Sequence, residues 1–120
     1  MATRNAAEQG THDAMVRIRA GKYSGIVYTN PNGQQNYSVG GVYPDVVVPA
    51  LRVIDEVETS SSVTESERTQ WQTYARLGHT FRLVVPAEKL DDARRLISGI
   101  AGVILVFYGS RNGTITFSDM

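Results

Sequence analysis

The sequence predicts an α/β domain with a mixed β-sheet, an antiparallel three-strand meander flanked by helices. Two observations carry this. Between Val42 and Val57, β-branched runs meet at Pro49-Ala50, the pattern of an antiparallel hairpin. From Thr80 to Tyr108 the chain reads strand, helix, strand, with the lengths of a right-handed parallel crossover. A length of 120 residues, 42% hydrophobic and 20% charged, fits one domain over 1–120. A chain of that size buries a core without disulfide or metal staples.

The elements follow in order. Residues 3–20 read as a helix with apolar Ala6, Ala14, Val16 and Ile18, interrupted by Gly10 and stopped by Gly21. Gly25 to Thr29 is a short β-rich run ending in the turn signal Asn30-Pro31-Asn32-Gly33, and Asn36 to Val39 resumes the pairing. Val46–Val48 and Arg52–Val57 form the hairpin, with Pro44 at a strand start where its missing N–H does no harm. Thr64 with Glu67 three residues later is a capping-box pattern and opens a helix to Leu77, with Gly78 just beyond its end. Trp71, Tyr74 and Ala75 mark its core face. Thr80–Val85 is a strand, Ala87–Ser98 a helix, and Val103–Tyr108 a strand apolar on both faces. Asn112-Gly113 turns the chain into a last strand, Thr114–Phe117.

Twelve basic residues balance twelve acidic ones, which argues against a constitutively basic nucleic-acid coat protein. The basic set is ten Arg and two Lys; Arg suits bidentate phosphate contacts, although compositional bias accounts for the skew more simply. Cysteine is absent, which removes disulfides, zinc–thiolate sites and thiol nucleophiles. The N-terminal residues hold no apolar run, and the longest apolar stretch, Val103 to Tyr108, is far short of a bilayer span. The expected location is cytoplasmic, with no membrane partner.

Strand alternation decides what the acidic residues can do. In Arg52–Thr59, Glu56 and Glu58 share one face, while Asp55 and Val57 take the other. Counting outward from the hairpin turn puts Asp45 opposite residues 54 to 56. Asp45, Glu56 and Glu58 then converge at one end of two neighbouring strands. Carboxylates so placed repel unless a hard cation sits between them, which favours Mg²⁺, with Mn²⁺ as substitute. The plainer reading is a set of solvated acids at a strand end.

Pro44-Asp45, followed after ten residues by Glu56-Val57-Glu58, resembles the PD-(D/E)XK signature of the restriction endonuclease-like nuclease superfamily. The order of elements resembles that family too, over residues 5 to 108. The resemblance implies a restriction endonuclease-like core and hydrolysis of DNA phosphodiester bonds. Asp45 and Glu56 would be the metal ligands. Glu58 stands where the family usually has Lys, and would be a third ligand or would orient the attacking water. Arg68 or Gln72 would face the site from the following helix, and Arg52, Arg68 and Arg76 would steady phosphates. Glu8 would match the acidic residue that the family often carries on its first helix. The implied partner is duplex or branched DNA, and so small a nuclease would act as a homodimer or within a larger assembly. A bound Mg²⁺ would leave the protein near +2, removing the objection from net charge. The alternative is a catalytically degenerate member of the same fold, a DNA-binding or assembly module.

Other residues read as structural. His12 is expected to be a solvated helix residue and His79 a surface residue at a helix end; Trp71 and Tyr74 belong to the core. Tyr23, Tyr28, Tyr37 and Tyr43 cluster in sequence, where Tyr is a good strand former or a base-stacking surface. Gly40-Gly41 does not join a strand to a helix, so it is not a phosphate-cradling loop.

Overall fold

The structure is a computed structural model and describes residues 4–119. Nine elements carry the fold: helix α1 (Ala6–Ala20), strands β1 (Tyr28–Thr29), β2 (Val46–Val48) and β3 (Val53–Val57), helix α2 (Arg68–Ala75), strand β4 (Thr80–Pro86), helix α3 (Leu90–Leu96), and strands β5 (Val103–Arg111) and β6 (Thr114–Asp119). The six strands form one mixed sheet in sequential order. β1–β2, β2–β3 and β5–β6 are antiparallel; β3–β4 and β4–β5 are parallel. Among the described residues no helix is long and apolar enough to cross a membrane.

The central strands β2, β3 and β4 are buried on both faces, whereas β5, expected to be covered on both, leaves Ile104 exposed. On one face, Val47, Ile54, Phe81, Leu83, Val85 and Leu105 pack under Trp71 and Tyr74 of α2 and Ala93 and Leu96 of α3. On the other, Val46, Val48, Val53, Val57, Val84 and Val106 pack under Met15 and Val16 of α1. Two successive parallel crossovers that extend a sheet in one direction put both helices on the same face when their hand is the same. Phe81 is fully buried, worth about 1.5–3 kcal/mol.

α1 begins at Ala6 because Asn5 caps it, its Oδ1 accepting the Glu8 N–H at 2.8 Å; the expected start at residue 3 lies outside the described residues. Glu8 in its first turn and Arg17 and Arg19 in its last complement the helix dipole. Its buried stripe is His12, Met15, Val16 and Arg19, the spacing of one helix face with two polar members.

Several boundaries differ from expectation. β1 is only two residues long and pairs with Val46 and Val47 of β2. Residues 36–39 make one isolated bridge, Val39 with Val42, instead of a strand. The β2–β3 link is a 3₁₀ turn over Pro49–Leu51 with Arg52 left-handed at φ 52°, so β3 starts at Val53. The capping box lies at Thr59 and Ser62, where Ser62 Oγ accepts the Thr59 N–H at 2.9 Å. Thr64 instead pairs its hydroxyl with Ser66, and Glu65–Glu67 is a 3₁₀ turn ahead of α2. α3 is likewise preceded by a 3₁₀ turn, Ala87–Lys89.

Candidate functional site

The β2–β3 pairing sets Val46 opposite Asp55 and Val47 opposite Ile54, which brings Asp45 beside Glu56. Asp45 also completes the sheet with its side chain. Its Oδ2 accepts the Val57 N–H at 2.8 Å, and its own N–H donates to Glu56 Oε1 at 3.2 Å. A carboxylate thus takes the place of a main-chain acceptor where β2 has stopped. Ile54 shares its face with Glu56 and Glu58; Val53 and Val57 share the opposite face with Asp55.

The three acids line one cavity of about 710 Å³ with Glu67, Gln70 and Tyr74 of the α2 region, Arg4, Gln9 and His12 from the N-terminal segment, and the loop between Asn30 and Tyr43. All three are almost entirely buried. Burial, then the charges of Asp45 and Glu58, push the Glu56 carboxyl well above the usual carboxylate range. Burial pushes Glu58 up to about 7, against the opposing effect of its hydrogen bonds. Trp71 Nε1–H donates to Glu58 Oε2 at 2.8 Å, and Arg4 Nη2 lies 3.3 Å from Oε1. Arg4 also donates to Thr59 Oγ1 at 3.0 Å and Ser62 Oγ at 3.1 Å. It brings a cation to Glu58 from 54 residues away in sequence.

His12 is the chief correction. It is buried, not solvated. Its Nε2 lies 3.0 Å from Asp45 Oδ2 and its Nδ1 3.0 Å from Asp13 Oδ1. Burial alone would lower its pKa; the two carboxylates outweigh burial and raise it. The imidazole, bracketed by acids, holds Asp45 in one orientation.

The expected phosphate contacts lie elsewhere. Arg52, in the β2–β3 turn, donates to the Gly78 carbonyl at 2.9 Å. Arg68 donates to the carbonyls of Leu96 and Ser98, tying α2 to the end of α3. Neither these two nor Gln72 and Arg76 line the cavity; Gln70 does. Glu8 accepts the Ser61 N–H at 2.9 Å and borders a different hollow, with Ser60 and Lys89. Of the tyrosines, Tyr28 and Tyr37 stack with centroids 4.3 Å apart, Tyr43 lines the cavity, and Tyr23 lies on the α1 side of the sheet. Trp71 and Tyr74 are in the core as expected, with Trp71 also serving Glu58.

Among the described residues no set of three or more His, Asp or Glu side chains is arranged to hold a metal ion as it stands. Asp45 and Glu56 nevertheless suit a hard cation. Burial and the neighbouring charges of Asp45 and Glu58 disfavour the ionised form of Glu56, a crowding that a proton or a cation would relieve. Two carboxylates with retained waters are an ordinary Mg²⁺ set. Comparison with known proteins adds no constraint: no family model, curated protein or solved structure matches the chain.

Proposed function

We propose that the protein is a Mg²⁺-dependent nuclease of the PD-(D/E)XK type that hydrolyses DNA phosphodiester bonds. The observation that carries this reading is the side-by-side placement of Asp45 and Glu56, held by the Asp45 N–H to Glu56 Oε1 contact of 3.2 Å, at a solvent-reachable cavity. Asp45 and Glu56 would hold the metal, which supplies Lewis acidity toward a phosphoryl oxygen and acidifies a bound water. His12 and the Val57 N–H fix Asp45 Oδ2, so one ligand is oriented before any ion arrives. Glu58, with its carboxyl near 7, is matched to accepting a proton from water at neutral pH. Arg4 fills the charge role that a motif lysine would have: it faces the same cavity and is half-buried, with a guanidinium able to meet a phosphate oxygen.

A second reading is a DNA-binding or assembly module that has lost catalysis. It is favoured by the pairing of both Glu58 oxygens with the chain's own donors, Trp71 and Arg4. Cleavage of plasmid and oligonucleotide DNA in Mg²⁺ or Mn²⁺ separates the two. The nuclease reading expects metal-dependent cutting that Asp45→Ala abolishes. No cutting of any DNA with either metal would sink it, and salt-sensitive binding without cutting would establish the module.

A further inference from the structure

We infer that the loop from Pro31 to Tyr43 reads the base of an unpaired nucleotide, so that the substrate of the proposed site is single-stranded or locally unpaired DNA. The inference rests on the nuclease reading and goes further, by naming the form of the substrate.

The first observation is charge. Between Lys22 and Asp45 the chain has no Asp, Glu, Lys, Arg or His. The wall that the loop gives the cavity is instead made of Asn32, Gln34, Gln35 and Tyr43 with backbone at Gly33, Gly41 and Val42. Among the described residues that line the cavity, Arg4 is the only Lys or Arg. Docking a duplex draws its affinity from many neutralised phosphates. A site with one guanidinium draws it from bases, whose stacking faces and Watson–Crick edges are open only when unpaired.

The second observation is that the wall is built, not loose. Asn30 is buried and uses its whole side-chain amide. Its Nδ2 donates to the Tyr37 carbonyl at 2.9 Å and the Pro44 carbonyl at 2.6 Å; its Oδ1 accepts the N–H groups of Asn36 and Tyr37, each at 2.9 Å. Both ends of the loop are thereby tied to one side chain next to Asp45. Gly40, at φ +57°, docks the far side: a Cβ there would come within 2.8 Å of Leu77 Cδ2. Tyr37 lies flat on Tyr28, 10° from parallel. Rigid placement is what lets amides read a base without a large ordering cost.

The third observation is spare hydrogen-bonding capacity. Asn32, Gln34 and Gln35 are exposed along the cavity. Gln34 Oε1 is held by Asn36 Nδ2 at 3.1 Å, which aims its amide, while Asn32 and Gln35 have no side-chain hydrogen bond within the described residues. Carboxamides match the donor and acceptor of the Watson–Crick edge that an unpaired base presents, and Tyr43 adds an aromatic surface next to Asp45. A volume of about 710 Å³ is within the range of small-ligand pockets, the scale of a nucleotide instead of a duplex segment.

The experiment uses the whole chain with Mn²⁺ and one labelled 20-mer in three forms: single strand, full duplex, and single strand with abasic sites at its centre. Cutting and, separately, fluorescence anisotropy are followed for wild type and for Gln34→Ala/Gln35→Ala, whose changes are on exposed side chains. The expected result is single strand cut and bound at least about tenfold better than duplex or abasic strand, with that preference lost in the double variant. Duplex or abasic strand handled as well as the intact single strand overturns the inference and leaves the nuclease reading standing. Base-dependent binding with no cutting keeps the loop's role and rejects catalysis. Binding of none of the three forms rejects both.

Discussion

Asp55 and Glu56 are consecutive on β3, and strand alternation sends them to opposite faces of the sheet. Asp55 meets cations. Arg19 Nε donates to its Oδ2 at 2.8 Å, Tyr23 O–H donates to the same oxygen at 2.7 Å, and Arg82 Nη1 supports the Tyr23 hydroxyl at 3.1 Å. Arg19 is also within 5.2 Å of the Tyr23 ring centre and 5.0 Å of Phe117's. Glu56 meets Asp45 and Glu58, two further acids, at the wall of a cavity. One acid is paired with a cation, although burial still raises its carboxyl above the usual range; its neighbour is raised by burial and by like charge as well. The first arrangement holds α1 to the sheet. The second is disfavoured by itself.

The contrast breaks most visibly in stability. Asp55→Ala leaves Arg19 buried without its anion and is expected to cost about 3–5 kcal/mol in urea unfolding. Changing both, Arg19→Met with Asp55→Leu, recovers most of that loss if charge pairing is the cause. Glu56→Gln has the opposite sign. The folded-state pKa of Glu56 is raised above the ordinary 4.5, so wild-type stability falls as pH rises through that raised value. The neutral amide therefore gains stability, more at pH 8 than at pH 5. Loss of stability in Glu56→Gln at pH 8 would mean that its surroundings are not acidic.

A smaller effect sharpens the comparison at α1, which serves both faces. His12→Ala is expected to cost about 1–3 kcal/mol by urea unfolding, because the buried Asp45 oxygen loses a partner. His12→Gln, which can still donate to Asp45, restores part of it. If the two variants lose equally, packing and not the Asp45 contact explains His12.

The smallest effect concerns alkaline pH. Burial, with Asp55 alongside, pushes the Tyr23 hydroxyl up to about 12. The folded state keeps a proton that the unfolded chain releases near pH 10, so this contribution is full below pH 10 and is lost on the way to 12. Tyr23→Phe should flatten the fall of the urea midpoint between pH 9.5 and 11.5 by part only, since Tyr108 is also pushed up to about 12. An unchanged slope would remove Tyr23 from the Asp55 network.

Much of this was legible in residue order. Alternation alone separates Asp55 from Glu56 and Glu58, and counting from the turn at Pro49 places Asp45 opposite residues 54 to 56. Both are consequences of the fixed two-residue period of a strand. α1 was harder to read because its core stripe is half polar. A search for apolar positions finds Ala14 and Ile18, whereas the buried set is His12, Met15, Val16 and Arg19. The spacing of i, i+3, i+4 and i+7 was present; its meaning depended on acids 33 and 36 residues away.

The sequence by itself determined the α/β class, the strand faces and the placement of Asp45 opposite residues 54 to 56, because local periodicity and turn chemistry act over a few residues. Tertiary structure alone decided the partners: His12 on Asp45, Arg4 and Trp71 on Glu58, Arg19 on Asp55. It also turned Arg52 and Arg68 away to backbone carbonyls. Charges find partners through space, and three-dimensional packing sets those distances. Which acid is paired and which is crowded is written only in the fold.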